Sequence, residues 1–252
     1  MQSSDLFSVA GKAVIVTGAS SGLGERFARV LGANGADVLA VARRADRLEV
    51  LAAEVPGVVA HPADLSEEGE RAAVVDTAME RFGRIDVLVN NAGYGTIVTA
   101  LDETVAEFRA VLELNLVALF ELARLSARHM IDAGSGSIIN IASILGSVAS
   151  APMPNASYTA SKGAVVNLTR ELACQWARKG VRVNAIAPGY FPTEGTAGIE
   201  QGSTLDYLVR NCPMGRLGEE HELDGVLLFL ASAASTYCTG QVLTIDGGWT
   251  AR

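Results

Sequence analysis

The sequence predicts an α/β fold, in which seven parallel strands form one doubly wound sheet with helices on both faces. Two observations support this prediction. Short runs of β-branched and apolar residues alternate along the chain with longer segments that have helical spacing. Several of the short runs are almost continuously apolar, which is typical of strands buried on both faces. We therefore expect right-handed crossover connections between neighbouring strands.

The predicted elements follow one another in a regular order. The seven strand candidates are, in chain order, KAVIVTG, ADVLAVA, GVVAHPAD, IDVLVNNAG, GSIINIAS, VRVNAIAPG and QVLTIDGG. Apolar residues recur at helical spacing in the intervening segments, which include GERFARVLGANG, EEGERAAVVDTAMERFG and VAEFRAVLELNLVALFELARLSARHMID. Many helical segments end in glycine, which readily adopts the left-handed conformation that closes a helix.

The chain has 252 residues, 49% of them hydrophobic, and contains no internal repeat, linker or low-complexity tract. We therefore predict a single domain over residues 1–252. A stretch near 189–218, rich in Gly, Pro and Thr, follows the sixth strand. Ligands of open α/β sheets bind beyond the carboxyl ends of the strands, so we interpret this stretch as a substrate lid. A surface loop without that role is the alternative.

The formal net charge of −8 argues against binding of nucleic acid or of an anionic membrane surface. Three cysteines lie far apart without a CxxC pair, which favours free thiols in a reducing compartment, although pairing stays open. The first residues do not resemble a signal peptide, and no segment has the length and apolarity of a membrane span. We therefore expect a cytoplasmic protein.

A glycine-rich turn, TGASSGLG, joins the first strand to the first long helix. In that position, glycines let the backbone approach a pyrophosphate, which then lies at the amino end of a helix. A purely structural turn is the alternative. The context of strand, turn and helix favours a dinucleotide site, with the candidate residues Gly18, Ser20, Ser21, Gly22, Leu23 and Gly24.

The spacing TGxxxGxG resembles the glycine motif of the short-chain dehydrogenase/reductase family. Further stretches of the chain resemble that family in the same order: NNAG after the fourth strand, Asn115 in the following helix, Ser143 after the fifth strand, YTASK with Tyr158 and Lys162, and PG after the sixth strand. The resemblance covers essentially the whole chain. It implies a Rossmann fold and a nicotinamide-dependent oxidoreductase.

The end of the second strand bears on the choice of cofactor. NAD-binding proteins tend to carry an acidic residue there for the ribose hydroxyl, and this chain has Ala42 instead, followed by Arg43 and Arg44. Because an arginine can pair with a 2′-phosphate, we favour NADP(H), with NAD(H) possible. A solvated helix start is the alternative for these arginines. The resemblance extends the cofactor site to Asp64, Leu65, Asn91, Ala92, Gly93, Tyr158, Lys162, Pro188, Gly189, Phe191 and Thr193.

Tyr158 and Lys162 are four residues apart and therefore share one face of a helix. A nearby ammonium stabilises a phenolate and is expected to lower the tyrosine pKa from its ordinary value of about 10. The resemblance implies that Tyr158 is the general acid/base, that Lys162 also binds the nicotinamide ribose, and that Ser143 orients the carbonyl. It further implies that Asn115 holds a water that relays protons. A buried structural amide is the alternative for Asn115.

The implied reaction interconverts a ketone and a secondary alcohol by hydride transfer. Candidate substrate residues, any of which could instead belong to the core, are mostly apolar and suit a hydrophobic or medium-sized ketone: Tyr94, Ile144, Leu145, Met153, Tyr190 and Tyr207. The alternatives are a 3-oxoacyl-thioester (acyl carrier protein) reductase, a sugar or polyol dehydrogenase, and a non-catalytic nucleotide-binding protein. The three histidines lack metal-ligand spacing, so we expect no metal. The resemblance implies a homotetramer, with a dimer as the alternative.

Overall fold

A computed structural model describes residues 3–150, 153–194 and 202–252. Seven strands form one sheet in the order β3-β2-β1-β4-β5-β6-β7, and every neighbouring pair is parallel. This arrangement confirms the predicted doubly wound sheet. In chain order the strands are β1 Ala13–Thr17, β2 Asp37–Ala42, β3 Val58–Pro62, β4 Val87–Asn90, β5 Gly136–Ile141, β6 Val181–Pro188 and β7 Val242–Ile245.

Helices connect the strands and cover both faces of the sheet. They are α1 Ser3–Leu6, α2 Gly22–Ala33, α3 Ala45–Glu54, α4 Glu68–Phe82, α5 Val105–Leu112, α6 Leu119–Asp132, α7 Ala156–Trp176, α8 Gly202–Asn211 and α9 Asp224–Ala231. Helices α5 and α6 are joined without a break by a π-helical segment, Glu113–Ala118. Across the described ranges, none of the helices combines the length and apolarity that spanning a membrane requires.

Alternation along the strands divides the core into two layers. In β1, Val14 and Val16 belong to one apolar cluster and Ile15 to the other. Successive strand residues point to opposite faces of a sheet, so each face receives its own set of helices. Residues of α2 and α9 pack in the first cluster, and residues of α4, α6 and α7 in the second. The nearly continuous apolar strands of the sequence are therefore buried on both sides.

Strand order determines where the loops meet. Because β1 lies between β2 and β4, the connections that leave β1 and β4 start side by side at the carboxyl edge of the sheet. This is the point of an open α/β sheet at which ligands bind. The stretch interpreted as a lid begins at the same edge with residues 189–194 and continues through α8. Positions 195–201 of that stretch lie outside the described residues.

Candidate active site

A cleft of about 670 Å³ opens at the carboxyl edge of the sheet. It is lined by the connections that follow β1, β2, β3, β4, β5 and β6, together with the start of α7. Every residue that the sequence suggested for cofactor binding lines this cleft. Ser143, Tyr158 and Lys162 line it too, so the glycine turn and three of the four candidate catalytic residues face one space.

Hydrogen bonds tie the glycine turn to the NNAG loop after β4. The hydroxyl oxygen of Thr17 accepts from the backbone amides of Asn91 and Ala92 at 2.9 and 3.0 Å, and the side-chain amide of Asn91 donates to the Thr17 carbonyl at 3.0 Å. A Cβ atom at Gly24 would lie 2.2 Å from the Gly18 carbonyl oxygen. Only glycine therefore permits α2 to start this close to the turn. The resulting cradle at a helix amino terminus fits a dinucleotide pyrophosphate.

The two arginines after β2 differ in their surroundings. Arg44 donates to the side chain of Ser20 at 3.1 Å, to that of Ser21 at 2.7 Å and to Glu194 at 2.8 Å. In contrast, 75% of the Arg43 side chain is exposed, and among the described residues it pairs with Asp64 alone, at a long 4.0 Å. Arg43 can therefore turn towards an anionic ligand without breaking a short hydrogen bond to the described part of the chain.

The loop after β3 carries Asp64 and Leu65 at the far end of the cleft. Asp64 accepts from the backbone amide and the hydroxyl of Ser66, and these hydrogen bonds hold its pKa below the usual value. Arg71, which is only 2% exposed, donates to the carbonyls of Leu65 and Ser66 and pairs with Glu113 and Glu121. A buried arginine thus fixes this loop against the helix pair of α5 and α6.

Tyr158 and Lys162 both lie in α7, as the four-residue spacing predicts, with the Lys162 ammonium 5.5 Å from the centre of the Tyr158 ring. Lys162 is buried and donates to the Ile141 carbonyl at 2.6 Å. Burial lowers the Lys162 pKa to about 8. Burial also raises the Tyr158 pKa, and a hydrogen bond with Ser143 opposes that rise. The expected lowering of the Tyr158 pKa is thus not found, because desolvation of the phenolate outweighs the interactions that favour it.

Ser143 follows β5 and is nearly buried at the wall of the cleft. Its hydroxyl oxygen accepts from the backbone amide of Leu145 at 3.1 Å, which caps the short helix over Ile144–Gly146. Because the capping bond uses an oxygen lone pair, the hydroxyl proton can be donated to Tyr158 or, in a complex, to a bound ligand. The fold therefore fixes the position of the Ser143 oxygen beside Tyr158 and leaves a donor for a ligand.

Asn115 is fully buried in the π-helical segment and does not line the cleft. Its side-chain oxygen accepts from the Tyr94 amide at 3.0 Å, and its side-chain nitrogen donates to the Tyr94 carbonyl at 2.9 Å and to the Ser161 hydroxyl at 3.0 Å. The amide is thus satisfied by protein groups and holds the loop after β4 against α7. This geometry agrees with the structural alternative; the water relay stays a prediction.

Five of the six candidate substrate residues line the cleft: Tyr94, Ile144, Leu145, Met153 and Tyr190. Tyr207 does not; it lies in α8, where its ring packs 6.3 Å from that of Trp249. Sequence reasoning missed Gly95, Ser150 and Asn155, which also line the cleft. Two of them had a signal, since Gly95 lies two residues beyond the NNAG motif and Asn155 comes directly before the helix that carries Tyr158.

The histidines lie apart from one another: His61 is in β3, His129 in α6 and His221 in a short helix before α9. His221 is exposed beside Glu219, whereas burial lowers the pKa of the half-buried His61. Within ranges 3–150, 153–194 and 202–252, no group of three or more His, Cys, Asp or Glu side chains could hold a metal ion.

Comparison with known proteins agrees with this geometry. A family model described as enoyl-(acyl carrier protein) reductase matches residues 18–250. Galactitol 2-dehydrogenase (L-tagatose-forming) of Cereibacter sphaeroides is 39% identical over 248 residues, which cover 97% of each chain.

Two solved structures superpose on nearly the whole chain. A short-chain type dehydrogenase/reductase of Mycobacterium marinum has a TM-score of 0.93 at 36% identity and covers 98% of this chain and 99% of its own. A gluconate 5-dehydrogenase of Burkholderia cenocepacia, in complex with NADP and tartrate, has a TM-score of 0.93 at 36% identity, with 100% of both chains covered. The chain belongs to the short-chain dehydrogenase/reductase family and is a nicotinamide-dependent oxidoreductase that acts on carbonyl and alcohol groups.

Proposed function

We propose that this enzyme uses NADP(H) to interconvert a ketone and a secondary alcohol on a hydroxylated compound of the sugar or polyol class. The observation that carries the proposal is the meeting of Ser143, Tyr158 and Lys162 with the glycine turn in one cleft. The galactitol and gluconate dehydrogenases to which the chain is similar support the substrate class. A mostly apolar ketone is the alternative, supported by the lining residues Ile144, Leu145 and Met153.

In this proposal the side chains of the cleft move one proton and fix the reacting oxygen. When bound, NADPH supplies the hydride that adds to the carbonyl carbon. Tyr158 donates its phenolic proton to the carbonyl oxygen and accepts it back in alcohol oxidation. The Ser143 hydroxyl donates a hydrogen bond to the same oxygen. Lys162 would hold the nicotinamide ribose of the bound cofactor, and its ammonium keeps a positive charge beside Tyr158.

Asn115 has a positioning role in this scheme. Its three hydrogen bonds hold the Tyr94 backbone and the Ser161 hydroxyl in α7. Ser161 immediately precedes Lys162, so the asparagine fixes the lysine helix relative to the NNAG loop. The π-helical turn places Asn115 between these two elements. Widened turns of this kind occur frequently at functional sites.

A panel of carbonyl compounds tests the proposed substrate class. Nicotinamide absorbance would be followed with NADPH and NADH against keto sugars, apolar ketones and oxoacyl thioesters. The proposal predicts the highest kcat/KM for hydroxylated ketones with NADPH. Turnover confined to oxoacyl thioesters would contradict the substrate class and favour the acyl-carrier-protein reductase alternative.

Arg43→Asp is expected to shift the cofactor preference from NADPH towards NADH by about 10- to 100-fold, because a charge-assisted pair with the 2′-phosphate is lost and a repulsion is gained. The measurement is the ratio of kcat/KM for NADPH to that for NADH. Arg47→Asp is the matched control, since Arg47 lies one helical turn away, pairs with Glu194 and does not line the cleft. An equal shift in both variants would mean that net charge, and not the position of Arg43, sets the preference.

The pKa of Lys162, about 8, sets the expected pH dependence of carbonyl reduction. Reduction needs Tyr158 protonated and Lys162 charged, so both groups act in their acid forms. Since burial raises the Tyr158 pKa, Lys162 loses its proton first as the pH rises. We expect kcat/KM for NADPH, which reports the free enzyme, to be constant below the Lys162 pKa and to fall about tenfold per pH unit above it. A profile that rises through this range would contradict the assignment.

We further propose a cytoplasmic homotetramer. Val117 in the π-helical segment and Phe120 in α6 are 41% and 40% exposed. Their burial between subunits would remove apolar surface from water. The three cysteines Cys174, Cys212 and Cys238 are free thiols, which is in keeping with a reducing compartment. Light scattering in solution tests the tetramer, and a monomeric mass would contradict it.

A further inference from the structure

Asn155 immediately precedes α7 and lines the cleft three residues before Tyr158. Its backbone is fixed by contacts with the loop after β4 and with the first turn of α7. It forms a parallel bridge with Val98, and its carbonyl accepts from the amide and the hydroxyl of Thr159 at 3.1 and 3.0 Å. The start of α7 thus presents the Asn155 side chain from a fixed backbone position.

The side-chain amide of Asn155 has no hydrogen-bond partner in the described part of the chain. Asparagine at a helix N-cap commonly accepts from an amide of the first turn, but Asn155 forms no such cap. Its side-chain oxygen is buried and unpaired. An unpaired buried polar atom is costly and rare, and because Asn155 lines the cleft, a polar group bound there can supply the missing partner.

Gly95 lies next to both the side-chain amide of Asn155 and the ring of Tyr158. A Cβ atom at Gly95 would lie 2.8 Å from the side-chain nitrogen of Asn155 and 3.0 Å from Cγ of Tyr158. Both side chains therefore border the same point of the loop after β4. A substrate that reaches Tyr158 therefore lies in the same part of the cleft as Asn155.

The lining near Asn155 favours a neutral polar group over an anionic one. Among the described residues that line the cleft, the basic side chains are Arg43, Arg44 and Lys162. The arginines follow β2, at the part of the cleft assigned to the cofactor phosphate, and Lys162 is bonded to the Ile141 carbonyl. A hydroxyl group can both donate to and accept from an amide without needing a counter-charge.

We propose that Asn155 is a specificity-determining residue that binds a hydroxyl group on the carbon next to the reacting carbonyl. This inference rests on the proposed function, since it concerns the substrate of the same cleft. The enzyme accordingly prefers α-hydroxy ketones and vicinal diols to ketones and alcohols that lack the second hydroxyl. A substrate without that hydroxyl leaves the amide unpaired in the complex, and such sites discriminate strongly.

Acetoin and butanone test the inference, because they differ by one hydroxyl next to the carbonyl. With NADPH and the wild-type enzyme, we expect kcat/KM for acetoin to exceed that for butanone by about 10- to 100-fold. In Asn155→Leu, which keeps a similar volume, the ratio should fall to within about threefold of unity, with the Kd for NADPH unchanged. Asn155→Ala is the second variant, so that the test does not depend on the folding of one protein.

Ser157→Ala is the matched control. The Ser157 hydroxyl is also buried and unpaired near the start of α7, but Ser157 does not line the cleft. Removal of the Ser157 hydroxyl should leave the ratio of kcat/KM for acetoin to that for butanone as in the wild type. If the loss of any unpaired polar atom changed this ratio, the variants at Asn155 and at Ser157 would both show the change.

Three results would overturn the inference, and they are distinguishable. A wild-type ratio near unity, or a ratio that survives in both Asn155 variants, would remove Asn155 from substrate recognition. If turnover still depended on Tyr158, the proposed function would stand. Absence of turnover for both compounds, with keto sugars still turned over, would overturn the inference and leave the proposed function standing. Absence of Tyr158-dependent turnover for the keto sugars as well would contradict both.

Discussion

Replacement of Tyr158 by Phe is expected to lower kcat for carbonyl reduction by about 10²–10⁴-fold, because the variant has no proton to donate to the reacting oxygen. The affinity for NADPH should stay close to that of the wild type. The phenyl ring keeps the packing of Tyr158 against the loop at Gly95 and beside Lys162. Steady-state kinetics and a fluorescence titration with NADPH measure the two quantities separately.

Tyr237→Phe is the matched control for this substitution. Tyr237 is fully exposed and lies outside the cleft, so the same loss of a phenolic hydroxyl should leave kcat unchanged. Retention of full activity in Tyr158→Phe would remove Tyr158 from acid/base chemistry. A large loss of NADPH affinity in that variant would instead assign it a mainly structural role.

Gly24→Ala is expected to raise the Kd for NADPH by about 10- to 100-fold, since the added methyl group must displace backbone that forms the phosphate cradle. Its Cβ would lie 2.2 Å from the Gly18 carbonyl oxygen and 2.4 Å from the side-chain nitrogen of Asn91. The same displacement would disturb the hydrogen bond between Asn91 and Thr17. The NADPH titration measures the loss, and thermal unfolding measures the accompanying destabilisation.

Gly225→Ala provides the control, because Gly225 also lies near the start of a helix, α9, and a Cβ there would meet no atom within 4 Å. We expect unchanged NADPH affinity and, from helix propensity, equal or slightly higher stability. If Gly24→Ala bound NADPH as tightly as Gly225→Ala, the cradle would not require a glycine, and the assignment of the turn to the pyrophosphate would fail.

Much of the fold could be predicted because its signals are local. The near-continuous apolar runs predict buried parallel strands, and the sheet contains all seven. The turn TGASSGLG occurs between a strand and a helix, as its proposed role requires. The four-residue spacing of Tyr158 and Lys162 needs only the geometry of one helix, and α7 contains both residues.

Features that depend on tertiary contacts could not be predicted in the same way. The sequence around Asn115 reads as ordinary helix, whereas the chain there is π-helical and the amide bonds Tyr94 and Ser161. The prediction that Lys162 lowers the Tyr158 pKa was wrong, because the spacing of the two residues gives no information on desolvation. Tyr207 is placed by the packing of α8 on Trp249, which no local pattern encodes.

Adjacent residues of the same type can also have different surroundings, and the sequence alone does not reveal the difference. Arg43 and Arg44 are the same residue type. Arg44 nevertheless donates hydrogen bonds to Ser20, Ser21 and Glu194, whereas Arg43 is largely exposed. The difference arises because the two residues lie between β2 and α3, where Arg44 is the N-cap residue beside the glycine turn and Arg43 is not. The place of Asn155 directly before the Tyr158 helix is visible in the sequence, but its unpaired amide is recognised only when its neighbours are known.

The central claim, direct hydride transfer at a carbon whose oxygen is protonated by Tyr158, is tested most directly with NADPH that carries deuterium at the transferable position. The reduced product of a hydroxylated ketone would be examined by mass spectrometry, with Tyr158→Phe in parallel. The account predicts one deuterium on the new carbinol carbon, formed by the wild type and almost absent with the variant. Product without deuterium, or equal deuterated product from both proteins, would contradict it.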